Sequence, residues 1–171
     1  MMKVRLFIEG QSKRPGICRE AKAMYLMSYA RQNGEEVTRH GSVLLEDATI
    51  TRAALLALKT ALERFTVPTE ICLYIGDDIV RNAISKGWLQ SWKESGWKKS
   101  YGEIAHLDLW IPVEEELSKH QISCAQGEDL EHEYKSWMHC EMKNATNRIN
   151  ITRGDVSKNE ESRNDAVLHI S

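Results

Sequence analysis

Residues 49–76, TITRAALLALKTALERFTVPTEICLYIG, contain the clearest pair of structural elements in the chain. Apolar residues from Ala54 to Phe65 recur at helical spacing, and Thr49 or Thr51 can cap the start of this helix. Pro68 marks its end, and the apolar run over 70–76 is typical of a buried strand. An amphipathic helix followed by a buried strand predicts a helix packed against a sheet.

The segment before this helix predicts three strands. Residues 3–9, KVRLFIE, alternate between polar and apolar and end at Gly10. Asn33-Gly34 is a strong hairpin signal. Residues 17–32 have some helical spacing, but a hairpin of two strands around Asn33-Gly34 fits both halves better.

The segment after residue 76 predicts several helices and one more strand. Asp77 or Asp78 caps a helix that runs towards Lys86, and another helix follows at 88–94. Asp108 caps a further helix, residues 121–125 form a short strand, and residues 130–143 form the last helix. We therefore predict an α/β fold, a five-stranded mixed sheet flanked by helices, over 1–143. The polar composition of 144–171 predicts a C-terminal tail that is flexible or loosely docked.

Composition limits the possible functions. The 171 residues carry a net charge of −2, so the whole chain is not a general binder of polyanions. The four cysteines are widely spaced and suggest reduced thiols in a cytoplasmic protein. No apolar run approaches the roughly 20 residues that a membrane span needs, and we expect no membrane partner.

Several strings resemble the ribonuclease H family. They are NAISKGWL at 82–89, Trp92-Lys93, GWKK at 96–99, Gly102 and DLW at 108–110. These strings look like the basic protrusion of bacterial ribonuclease H. Residues 52–58 are similar to the family's first helix, and FIEG at 7–10 looks like its first strand, which ends in Asp-Gly. The resemblance covers about residues 2–143 and implies a ribonuclease H-like fold.

The resemblance also implies where a two-metal site would lie. The family holds two divalent cations, Mg or Mn, with acidic side chains on four elements, because hard cations take oxygen ligands. Those positions fall on Glu9, Ala54, Gly76 and, in a loose register, Lys135. Only Glu9 keeps a carboxylate, so it is a catalytic remnant and we expect no metal. Lys135 would repel a cation and could pair with Glu9.

A rebuilt acidic site is the alternative. Asp77 is a weak catalytic candidate, since it needs a bulge or a slip of one residue to face the site of Glu9. Carboxylates at 128–133 could join it and bind Mg or Mn. The simpler interpretation is that Asp77 caps a helix and that the glutamates lie on a solvated face. His132 and His139, seven residues apart, are a weak hint of a metal site.

The protrusion at 86–99 combines cations with aromatic rings, which suit phosphates and bases respectively. Its candidate nucleic-acid contacts are Lys86, Trp88, Trp92, Lys93, Trp97, Lys98 and Lys99. Thr51, where the family prefers asparagine, can donate a hydrogen bond to a sugar or a phosphate. The alternative is a helix that packs its tryptophans inward and solvates its lysines.

Three functions follow from these observations. The leading hypothesis is a non-catalytic binding or scaffolding module, whose partner is an RNA–DNA hybrid, a duplex or another protein. The second is an active metal-dependent ribonuclease with a rearranged site that cleaves RNA in RNA–DNA hybrids. The third is a protein-interaction domain with the residues from Asn144 as its variable arm.

Overall fold

The computed structural model describes residues 1–11, 16–99 and 102–144, together with the backbone of 156–157. Its strands are β1 (Lys3–Gly10), β2 (Ile17–Ala30), β3 (Glu36–Thr49), β4 (Glu70–Ile75), β5 (Gln121–Cys124) and β6 (Val156–Ser157). Its helices are α1 (Ile50–Leu62), α2 (Asp78–Ser85), α3 (Trp88–Glu94), α4 (Leu107–Leu117) and α5 (Lys135–Asn144), with a 3-10 turn at Gly127–Leu130. Within the described residues, no helix has the length and apolar character needed to cross a membrane.

The sheet has the order β5-β4-β1-β2-β3-β6. β1 and β3 are antiparallel to β2, whereas β1, β4 and β5 run parallel to one another. The predicted five-stranded mixed sheet is therefore confirmed, and β6 adds two residues beside Ser42 and Val43 of β3. Other structural predictions for 145–171 lie outside the described residues.

The hairpin predicted around Asn33-Gly34 is also confirmed. Gly34 adopts a φ of 86°, in the left-handed region that glycine accepts without a steric penalty. The side-chain oxygen of Asn33 accepts a hydrogen bond from the backbone of Glu35 at 2.9 Å. These local bonds set a register in which the long strand β2 pairs with β3 along nearly its whole length.

The two faces of the sheet carry different helices. On β1, Leu6 and Ile8 pack with the buried face of α1, whereas Phe7 packs with Met138 and Met142 of α5. Successive residues of a strand point to opposite faces. Side chains at odd positions near the end of β1, including Glu9, therefore lie on the α5 side.

Two predicted helix starts are confirmed. The Thr49 side chain accepts from the backbone N–H of Arg52 at 3.1 Å, and Asp77 accepts from that of Val80 at 3.0 Å. Both side chains satisfy N–H groups that a helix leaves without intrahelical partners.

Two other helix starts were predicted wrongly. Asp108 does not cap α4, because the helix begins at Leu107 and Asp108 lies within its first turn. The Asp108 carboxylate forms a bidentate ion pair with Arg52 at 2.6 and 3.1 Å. The last helix begins at Lys135 and not at Leu130. A 3-10 turn occupies Gly127–Leu130, and the ring of His132 accepts a hydrogen bond from the backbone of Tyr134 at 3.2 Å.

Candidate functional site

Glu9 is a buried carboxylate near the carboxyl end of β1, with 4% of its surface exposed. Its Oε2 lies 3.0 Å from Nε2 of His132, and its Oε1 lies 2.9 Å from Nε2 of His139. Each carboxylate oxygen of Glu9 therefore has its own histidine partner.

The turn before α5 places His132 in this site. Nδ1 of His132 accepts the backbone hydrogen bond from Tyr134, so the proton of the neutral ring is on Nε2, which donates to Glu9. The ring centroid lies 4.4 Å from that of Phe7, and the side chain is 2% exposed. His139, on the first turns of α5, is more open, with 31% of its side chain exposed.

Gly76 borders the same carboxylate from the end of β4. A Cβ added at Gly76 would lie 3.0 Å from Oε1 of Glu9, closer than nearly all real contacts of this kind. The longer Glu9 side chain thus occupies the space that a side chain at Gly76 would enter. Ala54, the other position where an acid is expected, is fully buried within the core.

Lys135 does not take the role considered for it. Its ammonium pairs with Glu131, four residues earlier in the chain, whereas Glu9 is engaged by the two histidines. The spacing of His132 and His139 was visible in the sequence. It suggested two positions on one helix face, but His132 precedes the helix.

Two of the carboxylates considered for a rearranged site, Asp77 and Glu133, are engaged elsewhere. Asp77 caps α2 and accepts a hydrogen bond from the Thr51 hydroxyl at 2.8 Å, on the α1 side of the sheet. Glu133 forms a bidentate pair with Arg5, with both distances at 2.9 Å, and Arg5 holds the pKa of Glu133 below its ordinary value. Nowhere in 1–11, 16–99 or 102–144 do three or more His, Cys, Asp or Glu side chains form a group that could hold a metal ion.

The residues of the basic protrusion (86–99) divide into exposed and packed positions. Trp88 is 42% exposed, and Nζ of Lys86 lies 5.9 Å from its ring centroid. Trp92 packs edge-on against Trp110, with ring centroids 5.9 Å apart. Among the tryptophans of the protrusion, Trp88 is therefore the ring most open to solvent.

The remaining candidate residues of the protrusion also differ in how far they are exposed to solvent. Lys93 pairs with Glu114 at 3.1 Å, which places its charge beside α4. Trp97 is half-buried and packs against the main core, whereas Lys98 and Lys99 are exposed. Lys98 and Lys99 are thus the cations at the C-terminal end of the protrusion that a polyanion can contact.

A cavity of about 680 Å³ lies between the protrusion and the starts of α1 and α2. Thr51 and Asp77 line it from the two helix starts, and Trp88, Trp92 and His106 line it from the protrusion and the loop before α4. The cavity thus links the predicted contacts Thr51 and Trp88 in one depression.

His106 is held by Arg52 at the edge of this cavity. Nη1 of Arg52 lies 3.3 Å from Nδ1 of His106, and the same guanidinium holds Asp108. Burial, followed by the charge of Arg52, lowers the pKa of His106 below its ordinary value of 6.5. Because a guanidinium only donates, Nδ1 of His106 accepts from Arg52 and the proton of the neutral ring is on Nε2.

No family model matches this chain. The ribonuclease H of Nitratidesulfovibrio vulgaris (strain DP4) is 35% identical over 94 residues, which are 54% of this chain and 59% of that protein. The ribonuclease HI of Haemophilus influenzae is 36% identical over 73 residues, which are 42% of this chain and 47% of that protein. The chain therefore spans less than two thirds of these relatives.

Solved structures resemble the fold over more of the chain. LC9-RNase H1, a type 1 RNase H with the type 2 active-site motif, has a TM-score of 0.71 and 18% identity over 95% of this chain and 78% of its own. The RNase H domain of PFV has a TM-score of 0.54 and 16% identity over 84% of this chain and 90% of its own. The chain therefore has a ribonuclease H fold and is similar in sequence to ribonucleases H over about half its length.

Proposed function

We propose that this chain is a ribonuclease H-like domain that binds nucleic acid duplexes without two-metal hydrolysis. The observation that carries the proposal is the state of Glu9, whose two carboxylate oxygens bind His132 and His139. A carboxylate that bridges two cations needs those same oxygens for the metal.

The donor set around Glu9 does not fit two divalent cations. Such a pair needs several carboxylates to offset the repulsion between the ions and to fix their geometry. Ala54 and Gly76 bring no ligand atom, and Lys135 brings a positive charge. The histidines supply hydrogen bonds to Glu9, which leave this carboxylate satisfied inside the protein.

Support for a nucleic-acid partner comes from the protrusion and from the related structures. Lys86, Lys98 and Lys99 are exposed, and Trp88 offers part of its ring to solvent. The foamy viral protease–reverse transcriptase, solved in complex with dsDNA, has a TM-score of 0.58 and 13% identity over 81% of this chain and 89% of its own. A nucleic-acid duplex is also a partner that suits a local basic surface on a chain with no net positive charge.

The test combines cleavage and binding on one end-labelled RNA–DNA hybrid. The parent protein is incubated with magnesium and then with manganese, and Glu9→Gln protein purified in parallel controls for contaminating nuclease. The proposal expects a retarded hybrid and intact RNA with both proteins. Cleavage by the parent that disappears in Glu9→Gln would instead establish a working site. Failure to retard any duplex would favour a protein-interaction domain.

A further inference from the structure

We propose that the cavity between α1, α2 and the basic protrusion binds one unpaired nucleobase that carries an amino group. This inference deepens the proposed function and rests on it, because it specifies what part of a nucleic acid the cavity takes. The cavity volume of about 680 Å³ falls in the range of small-ligand sites, roughly 300–1,000 Å³.

The walls of the cavity suit a flat aromatic ligand. Trp88, Trp92 and Trp110 all line it, and Ile79, which is 58% exposed, extends the apolar surface at its mouth. Every base has a π-face that can stack on an aromatic side chain. A base can stack on tryptophan only if one of its own faces is exposed. Bases inside a regular duplex have both faces covered by neighbouring bases and are therefore excluded.

The side chains of Thr51 and Asp77 at the helix starts present acceptors to the cavity. The hydroxyl proton of Thr51 is donated to Asp77, so Thr51 presents lone pairs alone to a ligand. The Asp77 carboxylate is also an acceptor and already takes the N–H of Val80. A phosphate carries negative charge, and the Asp77 and Asp78 carboxylates that line this end of the cavity repel it. An amino group of adenine, guanine or cytosine supplies the donors that are needed.

The other side of the cavity offers donors. His106 is neutral and carries its proton on Nε2, since Arg52 occupies Nδ1. Lys99 also lines the cavity, and Lys86 lies beside Trp88. Acceptors at one end and donors at the other match the edge of an amino-bearing base. The lysines then meet the phosphates that flank it.

The first arm of the test uses isolated ligands, so that it does not depend on duplex binding. Adenosine and ribose are titrated separately into the full chain while the indole signals of the tryptophans are followed by NMR. We expect adenosine to shift the signal of Trp88 and ribose to leave it unchanged. Equal behaviour of the two ligands would overturn the inference.

The second arm compares two RNA–DNA hybrids, one with a single unpaired adenine and one with an abasic residue at the same place. We expect the parent to bind the adenine hybrid about tenfold more tightly. Ala105→Phe, which fills the cavity from an exposed position on its wall, should reduce this ratio to about one. Thr51→Val removes only a hydroxyl group and should also lower this ratio. It replaces Ala105→Phe in the test if that variant folds poorly.

Lys98→Glu is the matched control, because Lys98 is exposed but does not line the cavity. It should weaken both hybrids alike and keep their ratio. Equal binding of the two hybrids by the parent would overturn the nucleobase site while leaving the proposed function intact. If the parent binds neither hybrid, the proposed function fails, and the adenosine titration alone decides the fate of the nucleobase site.

Discussion

Glu9 is held at the end of β1 by two histidines and lies beside Gly76. Glutamate is one methylene longer than aspartate, and the absence of a Cβ at Gly76 gives its carboxylate room. The sequence places a carboxylate here through the string FIEG. Its partners could not be predicted, because His132 reaches Glu9 from a turn that has no helical periodicity.

The first prediction concerns the stability that Glu9 provides. Glu9→Ala leaves two histidine N–H groups without their acceptor, and we expect a loss of about 3 kcal/mol in the free energy of unfolding. Glu9→Gln keeps the shape and one acceptor, so its loss should be about 1 kcal/mol. Urea denaturation measures both. Glu103→Ala, at an exposed carboxylate, is the control and should change stability by less than about 0.5 kcal/mol. An unchanged midpoint for Glu9→Ala would contradict this prediction.

The second prediction concerns pH and His120. The backbone N–H of Thr69 donates to Nδ1 of His120 at 3.0 Å, and Phe65 packs against the ring. Burial, the largest effect, lowers the pKa of His120 below 6.5; Lys119 lowers it further and Glu116 raises it. The unfolded chain therefore takes up the proton more readily. The contribution of His120 to stability is complete above pH 6.5 and is lost as the pH falls through the lowered pKa.

His120→Asn checks the direction of this pH dependence, because it keeps an acceptor for Thr69 and removes the titrating group. We expect its free energy of unfolding to fall less between about pH 7.5 and about pH 5 than that of the parent. Some pH dependence should remain, because His106 has a lowered pKa for the same reason, burial. A pH dependence equal to that of the parent would contradict the assignment to His120.

At the level of helices and strands, local sequence signals predicted the features that a few neighbouring residues encode. The turn at Asn33-Gly34, the stripe of α1 and the caps at Thr49 and Asp77 are each encoded within a few residues. In the first turn of α4, Asp108 pairs with Arg52, which is more than 50 residues away in the sequence. Local sequence signals cannot reveal a tertiary ion pair of this kind, in which Asp108 binds Arg52 and does not cap a helix.

The third prediction tests the cap of α1. Thr49→Ala removes the acceptor for the Arg52 N–H, and we expect it to cost about 1 kcal/mol of stability. Thr49→Ser retains the hydroxyl and should lose only a few tenths of a kcal/mol. Thermal unfolding of the two variants checks the difference. Equal destabilisation would mean that the methyl group of Thr49, and not its cap, is what matters.

At the level of the whole molecule, charge is distributed unevenly. The net charge of −2 coexists with an exposed cluster of lysines on one protrusion. The sequence predicted this cluster and left open whether its tryptophans pack inward, as Trp92 does. It did not indicate that Lys93 pairs with Glu114. Those details depend on how α3 and α4 pack together in the fold.

The fourth prediction addresses this surface. Lys98→Glu combined with Lys99→Glu should weaken binding to an RNA–DNA hybrid more than about tenfold. It should also reduce the slope of log affinity against log salt by about 2, since each lost phosphate contact removes about 0.9. Fluorescence anisotropy over a range of salt measures both quantities. Lys3→Glu, at a lysine that is 80% exposed at the start of β1, is the control and should keep the parent's slope. An unaltered slope in the double variant would remove the protrusion from the interface.

The fifth prediction concerns the domain boundary that composition places near residue 143. We propose that residues 1–144 fold without the remainder, since all five long strands and all described helices lie within them. Loss of the two-residue pairing of β6 with β3 should cost about 1–2 kcal/mol at most. Circular dichroism and urea denaturation of the shortened chain check this. An unfolded product would assign the residues after Asn144 to the core domain.

The central claim is that histidines, and not metal ions, satisfy Glu9. A crystal soaked in manganese and measured at the manganese absorption edge tests this claim most directly. We predict no anomalous peak within coordination distance of Glu9, with both histidine hydrogen bonds retained. Two manganese ions bridged by the Glu9 carboxylate, with His132 and His139 displaced, would contradict the claim.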